Sequence, residues 1–257
     1  MSGFKKLNIM LIVLLSAFVV IDIFFDFHWA WYVSLFCVDI IICVYGSFVL
    51  SAQFFTPVKY KGDRASNKIA LTFDDGPLPN QTERILNVLA QYQIKASFFC
   101  IGQRVAQHPH VLKQVHEQGH LIGNHTFHHS PVMGFSSLKH VVSELEKTNT
   151  QIEQVIGKQP LFFRPPYGVT NPTIAEAIGQ GKYQLIGWSI RSFDTIIRDQ
   201  YKLYKRITRS LKGGDIVLLH DYSEITIQVL PRLIQYAHQN GLVFVRLDEL
   251  LNEEPYR

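Results

Sequence analysis

The sequence predicts an α/β protein, a closed or nearly closed β/α barrel of about seven strands over residues 56–257, preceded by two apolar helices within residues 1–55. Three observations lead there. From Thr56 onward short apolar runs alternate with amphipathic stretches, so strands separated by helices are expected to pair in a mostly parallel sheet. Acidic, imidazole and guanidinium residues fall just after those apolar runs, where α/β barrels carry their chemistry. Before Thr56 the chain is almost continuously hydrophobic. An open doubly wound sheet is the competing arrangement.

Taken in order, residues 7–25 and 29–55 are two apolar runs separated by Asp26, Phe27 and His28. Each suits a hydrocarbon core crossed by about 20 helical residues, with spans expected over about 7–25 and 30–52. A cleaved signal peptide would explain the first run but not the second, and no small-residue cleavage site follows Val20. Trp29, Trp31 and Tyr32 suit one membrane interface. Asp39 lies mid-run, where protonation or a hydrogen bond to Asn8 or Ser16 of the other helix would satisfy it. Lys5 and Lys6 precede the first run and Lys59, Lys61 and Arg64 follow the second, whereas the turn holds Asp22, Asp26 and His28 but no Lys or Arg. The positive-inside rule then predicts a multi-pass cytoplasmic-membrane protein with both ends, and the barrel of residues 56–257, on the cytoplasmic face.

In the barrel, strands are expected at residues 69–73, 96–101, 121–123, 161–163, 184–188, 216–219 and 242–245. Helical periodicity lies between them at 82–91, 110–118, 136–156, 172–178, 200–211 and 226–239. The formal charge is +4, and no Lys/Arg run is present, which argues against a nucleic-acid partner. Cys37, Cys43 and Cys100 are too few and too scattered for a disulfide framework.

The strand ends carry a consistent set. Asp74 and Asp75 follow the first, His125, His128 and His129 the third, Arg164 and Tyr167 the fourth, Trp188 to Asp194 the fifth, and His220 and Asp221 the sixth. Two adjacent carboxylates repel unless a cation sits beside them. His125 and His129, spaced i, i+4, would share one side of a helical turn and, with Asp75, make a two-histidine, one-carboxylate metal set. His128 points elsewhere on that spacing. Bland alternatives are an ion pair for Arg164 and a capped strand end for His220.

Asp74-Asp75-Gly76-Pro77, the His-Thr-x-x-His of residues 125–129, the Arg-x-Pro-Tyr of residues 164–167 and the apolar run ending at His220 resemble ordered motifs of the NodB-homology polysaccharide deacetylases, carbohydrate esterase family four. Four of that family's five motifs are present, from about Ile69 to the C-terminus. The resemblance implies a distorted barrel of about seven strands and metal-dependent removal of N-acetyl groups from amino sugars. It assigns Asp75, His125 and His129 as metal ligands, Asp74 as general base oriented by Arg164, the backbone N–H of Tyr167 as oxyanion donor, and His220 as general acid. Leu218 and Trp188 would line the acetyl pocket. Imidazole ligation favours zinc, with cobalt, nickel or manganese as other divalent ions for such a set.

The remaining motif departs from the family's Asp-x-x-Asp-Trp. Here it reads Arg191-Ser192-Phe193-Asp194-Thr195, which keeps the aspartate that tethers the catalytic histidine but places Arg191 and Thr195 at its ends. A cation there suggests an anionic substrate. The expected partners are the membrane and an N-acetylated glycan, either polymeric (peptidoglycan or exopolysaccharide) or a lipid-linked sugar on polyprenyl phosphate. Two other classes compete. A membrane-tethered glycan-binding protein on an inactive scaffold predicts loss of a ligand or of the base, and phosphoryl transfer through an aspartyl nucleophile gives no reason for two histidines.

Overall fold

The structure, a computed structural model, describes residues 2–25 and 28–257. Two helices come first, α1 (Gly3–Phe24) and α2 (Ala30–Phe48). Then follow β1 (Lys68–Gly76), α3 (Gln81–Gln91), β2 (Ser97–Cys100), α4 (Gly102–Gln107), α5 (Pro109–Glu117), β3 (Leu121–Asn124), α6 (Leu138–Ile156) and β4 (Phe162–Phe163). The chain continues through α7 (Pro172–Gly181), β5 (Gln184–Leu185), β6 (Ile190–Arg191), α8 (Gln200–Thr208), β7 (Ile216–His220), α9 (Glu224–Gln239), β8 (Val243–Phe244) and α10 (Leu247–Leu251).

Every strand pairs in parallel, in the order β5-β4-β3-β2-β1-β7-β6, with β8 beside the start of β1. The gap between the β5 and β7 sides is bridged by the segment entering the barrel. The Lys59 N–H donates to Leu185 O (2.9 Å), the Gly187 N–H donates to Lys59 O (2.9 Å), and the Gly62 N–H donates to Gly214 O (2.8 Å). The result is the distorted parallel barrel expected. Residues 184–188 are not one strand: the chain leaves β4 after Leu185, turns through Gly187 and Trp188, and re-pairs with β7 as β6. Helices α4 and α10 have six and five residues, too short to give a readable period.

Apolar periodicity becomes burial directly. From Ile69 to Gly76 every β1 residue is buried, and Phe73 stacks on Phe98 of β2 with ring centroids 5.1 Å apart. Ile85, Leu86 and Leu89 of α3 and Leu230, Leu233 and Ile234 of α9 cover the same core. Helix ends follow local chemistry: the Asn80–Glu83 capping box starts α3, Ser137 caps α6, and Gly157 ends α6 at φ 70°.

The first two helices are apolar yet exposed over most of their surface, with a mean hydropathy of 2.6 for α1 and 1.8 for α2. Among the described residues they are the two long and apolar enough to cross a membrane, and they suit a membrane anchor or a signal peptide. The second helix stops at Phe48, short of residue 52, because the chain turns through Leu50–Ala52 and Gln53 (φ 50°) to bury Leu50 beside Val58. Ser16 donates to Ile12 O (2.8 Å), and Asp39 Oδ1 makes no hydrogen bond among the described residues. Asp26 and Phe27 of the connecting turn lie outside the described residues.

Candidate active site

Strand β1 ends in Asp74 and Asp75, and β7 lies beside it in register so that Asp74 is opposite His220. Between Asp74 and Gly76 the register with β2 shifts, and Asp75 takes a left-handed φ of 77°. That irregularity ends the strict alternation that would point the two carboxylates to opposite faces, and both line one cavity.

Arg164, fully buried after β4, supplies the cation that adjacent carboxylates require. Its Nη1 donates to Asp74 Oδ1 (2.6 Å) and Thr72 Oγ1 (2.9 Å), and its Nη2 donates to Gly187 O (2.9 Å). The guanidinium also lies over the Phe99 ring, 4.1 Å from its centroid. Asp75 is left to other partners. Its Oδ1 is 3.4 Å from His125 Nε2 and 3.3 Å from His129 Nε2, and its backbone oxygen accepts from Arg104.

The His125–His129 segment is not the helical turn its spacing suggests. Thr126 and His129 both take positive φ (62° and 52°), and side chains hold the loop. Asn124 Oδ1 accepts from the Thr126 N–H (2.9 Å), and Thr126 Oγ1 accepts from the His129 N–H (3.1 Å). Glu144, buried on α6, accepts from the N–H groups of Phe127 (3.1 Å) and His128 (2.9 Å), with His128 Nδ1 2.7 Å from its other oxygen. The two imidazoles still converge, their centroids 4.8 Å apart.

The ligand atoms of Asp75, His125 and His129 all lie within 4.8 Å of one another. Asp75 Oδ1 is buried and makes no hydrogen bond among the described residues, an atom placed for a cation. Burial alone would raise the Asp75 carboxyl, but His125, His129 and His220 hold it well below the usual carboxylate range. Burial and the neighbouring His125 push His129 down to about 4, whereas the Asp74 and Asp75 carboxylates outweigh burial and raise His125, whose proton a bound cation would have to displace. The three residues fit a divalent metal.

Opposite them, His220 is held by Asp194. Asp194 Oδ1 is 2.8 Å from His220 Nδ1, and its Oδ2 accepts from the His220 N–H (2.8 Å) and from Thr226 Oγ1 (2.5 Å). Ser192 Oγ donates to Oδ1 as well (2.9 Å). Burial lowers the His220 imidazole, but the Asp194 hydrogen bond and charge outweigh it and raise the group. In return, His220 outweighs the burial of Asp194 and lowers that carboxyl.

One cavity of about 510 Å³ joins these parts and is lined by Asp74, Asp75, His125, His129, Tyr167, Trp188, Arg191, Leu218 and His220. Arg164 and Asp194 stand behind the wall, fully buried. Tyr167 sits at φ 59°, beyond Pro165 and Pro166, with its ring against His129. Gly168 has φ +72°, and a Cβ there would come within 2.4 Å of the Trp188 ring, so only glycine fits. Arg191 is exposed, its guanidinium 5.6 Å from the Trp188 ring centroid and 4.9 Å from that of Phe193. Thr195 also lines the cavity.

Sequence reasoning missed Glu144 and Thr226, which hold the site from behind, and Arg104, which lines the cavity and donates to the Asp75 backbone oxygen. Glu144 had a readable signal, being a carboxylate on the apolar face of an amphipathic helix. Asp221 is fully buried, its Oδ2 accepts from Thr82 Oγ1 (2.6 Å), and burial pushes its carboxyl up to about 7.

Residues 61–186 match the polysaccharide deacetylase family. The peptidoglycan-N-acetylglucosamine deacetylase PgdA of Listeria monocytogenes is 34% identical over 74% of this chain, a match spanning 40% of that relative's length. A peptidoglycan-N-acetylglucosamine deacetylase of Bacillus cereus is 36% identical over 71% of this chain and 87% of its own. The solved structure of the Bc1960 peptidoglycan N-acetylglucosamine deacetylase superposes with a TM-score of 0.74 at 26% identity, covering 78% of this chain and 95% of that one.

Proposed function

The chain belongs to the polysaccharide deacetylase family, and from that premise we propose that it is a membrane-anchored, divalent-metal-dependent hydrolase that removes N-acetyl groups from the amino sugars of a cell-wall glycan. The observation that carries this reading is one cavity with a clustered Asp75-His125-His129 set, an Arg164-paired Asp74 beside it and an Asp194-paired His220 across it. Amide hydrolysis requires an activated water, a stabilised oxyanion and a proton for the departing amine.

Each requirement has a residue. Asp75, His125 and His129 would hold the ion, which when bound supplies a Lewis acid that lowers the pKa of water to about 7 and polarises a carbonyl. Arg164 donates to Asp74 Oδ1 and orients the carboxylate, and Asp74 takes the proton as the water oxygen bonds to the acetyl carbon. The Tyr167 N–H, stiffened behind two prolines, donates to the oxygen that gains the carbonyl electrons. His220 gives its proton to the sugar nitrogen as the C–N bond breaks, leaving acetate and a free amine. Trp188 and Leu218 supply apolar walls for the methyl group.

The relatives' names support peptidoglycan as the glycan, with N-acetylglucosamine named for some and N-acetylmuramic acid for others. The exposed Arg191 guanidinium at the rim supports an anionic group close to that sugar, on a polymer or on a lipid carrier. Zinc suits the imidazole-rich set. Length and exposure of α1 and α2 support a two-span anchor. The inactive-scaffold alternative is disfavoured, since ligands, base and acid are all present.

Purified full chain in detergent, given a soluble N-acetylglucosamine tetramer, should release acetate, lose that activity to a chelator and regain it with added zinc. Asp74→Asn should keep about one equivalent of metal and lose most turnover. Undiminished activity in the chelated protein would overturn the metal assignment.

A further inference from the structure

A second groove, about 600 Å³, adjoins the active-site cavity, and Tyr167 lines both. One wall is the last turns of α2, including Val44 and Phe48, and the other is built from Met133, Phe135, Val169 and Ile174. Unlike the catalytic cavity it holds no ionisable carboxylate, lysine or arginine among its lining residues. The loop over residues 130–135 carries side chains that a water-facing loop would not: Phe135 is 94% exposed and Val132 61% exposed. On α2 beside them, Val44 and Phe48 are exposed as well. Together these make one continuous apolar surface, of the kind that marks an interaction site.

The depth of this loop follows from its ties to α2. Helix α2 has 19 residues, and at the helical rise it is roughly 28 Å long, about the thickness of the ~30 Å hydrocarbon core. If it spans, its end lies at the hydrocarbon boundary with no length to spare. The Thr170 N–H donates to Ser47 O (3.0 Å), and Asn171 Nδ2 donates to Gly134 O (2.5 Å). Residues 134 and 135 are thereby fixed at the level of that boundary. The groove also includes Cys43 and Val44, about one helical turn, or ~5 Å, below Phe48, within the depth reached by interfacial segments. At the same end Phe4, Phe54 and Phe55 cluster, with exposed Lys5 and Lys6 following, as residues at a headgroup layer do.

We propose that the 130–135 loop is seated in the bilayer that α2 crosses, with phospholipid chains filling the groove, so that the active-site cavity opens at the membrane surface. The inference rests on the two-span anchor reading. Seating the loop fixes the barrel against rotation about the anchor and holds Tyr167 and the cavity mouth at headgroup height. A substrate sugar is then taken from the plane of the membrane.

The test uses the full chain in vesicles of phosphatidylcholine and phosphatidylglycerol, with or without bromine on the upper acyl carbons. Tryptophan is placed singly at Phe135→Trp and Val132→Trp, and at Val243→Trp as a control on the opposite rim, where β8 pairs with the start of β1. The parent emission comes from Trp29 and Trp31, which report the anchor, and from Trp188 in the active-site cavity, whose share is removed by carrying every fluorescence variant in a Trp188→Phe background. The added emission of F135W and V132W should be blue-shifted and lost to brominated lipid as strongly as that of Trp29 and Trp31, while V243W should be quenched by iodide alone. If both loop tryptophans behave like V243W while Trp29 and Trp31 are still quenched, the loop faces water or a protein partner and the proposal is wrong. If Trp29 and Trp31 are also untouched by brominated lipid, the anchor reading falls with it. Deacetylation of the soluble tetramer, expected to be unchanged in F135W, is read separately, so loss of the catalytic assignment is distinguishable from loss of this one.

Discussion

Asp194→Asn should move the alkaline limb of the pH–rate profile, because Asp194 is the charge that keeps His220 protonated. The carboxylate makes two contacts to His220, at 2.8 Å each, in a fully buried position where solvent screens little. A hydrogen bond to a charged group contributes about 1.5–3 kcal/mol, and one pKa unit is about 1.4 kcal/mol. Removing the charge should therefore lower the His220 pKa by roughly one to two units, and the remaining burial pulls in the same direction. The limb of kcat/KM that reports an essential acid in the free enzyme shifts down by that amount. At pH 7 the rate should fall by about 10–100-fold, as the protonated fraction of His220 drops with its pKa. The assay is acetate release from a soluble N-acetylglucosamine tetramer between pH 5 and 10 on metal-loaded protein. A rate loss with an unmoved alkaline limb would refute the general-acid assignment. Stability has a matching signature. The raised His220 value means its stabilisation is complete below the ordinary imidazole value and is lost as pH rises through the raised one. The lowered Asp194 value means its share is present above the ordinary carboxylate value and is lost as pH falls through the lowered one. In the variant, unfolding free energy should be flatter with pH across that whole window.

Three further outcomes are expected. Glu144→Ala frees the N–H groups of Phe127 and His128 and loosens the loop that carries both histidines; metal affinity by titration should drop by about 10–100-fold, with unchanged affinity excluding a positioning role for Glu144. Arg191→Ala should raise KM several-fold for a substrate carrying a phosphate or carboxylate near the sugar and leave a neutral oligomer unaffected, because Arg191 stacks on Trp188 and Phe193 and makes no ion pair among the described residues. Equal effects on both substrates would make it a structural stack. Fusing alkaline phosphatase and a fluorescent protein separately to the C-terminus tests the flanking charges, which predict a bright reporter and inactive phosphatase; the reverse pattern would place the barrel on the face where mature peptidoglycan lies.

What could be read from the chain was what depends on local pattern. Two-residue periodicity and buried runs placed β2, β3 and β7 within a residue and the start of β1 likewise, though β1 runs three residues past the expected end, and amphipathic period placed α3, α6 and α9. The break after Leu185 was not legible, since Ile186, Gly187 and Trp188 continue an apolar run while the pairing partner changes from β4 to β7, a fact set by barrel closure rather than by local residues. The histidine spacing led to the right neighbours through the wrong conformation. Spacing alone cannot distinguish a helical turn from a loop that Asn124, Thr126 and Glu144 hold with positive φ at two residues. Glu144 comes from a helix 16 or 17 positions later, and that kind of support is invisible until the elements pack.

Charge pairing in the cavity explains why so many acids can stand there together. Asp74 has the Arg164 guanidinium at 2.6 Å, and Asp194 has His220 at 2.8 Å. Each is paired with a partner that, among the described residues, touches no other carboxylate within 4.0 Å. Asp75 has no such private cation. Its nearest side-chain neighbours are two imidazoles, one of them neutral at pH 7, and its Oδ1 is buried without a hydrogen bond. Asp221 also lacks a cation, and the chain answers differently: burial pushes it to about 7, so that it can remain uncharged. Asp75 does not take that route, being held low by the rings around it. One carboxylate and two imidazoles whose donor atoms converge within 4.8 Å, with Asp75 Oδ1 making no hydrogen bond among the described residues, form a donor set for a divalent cation. Asp75→Asn should therefore abolish metal binding, whereas Asp74→Asn should leave it intact, and metal analysis of the two purified variants separates ligand from base. Equal metal content in both would show that the cation demand is met elsewhere.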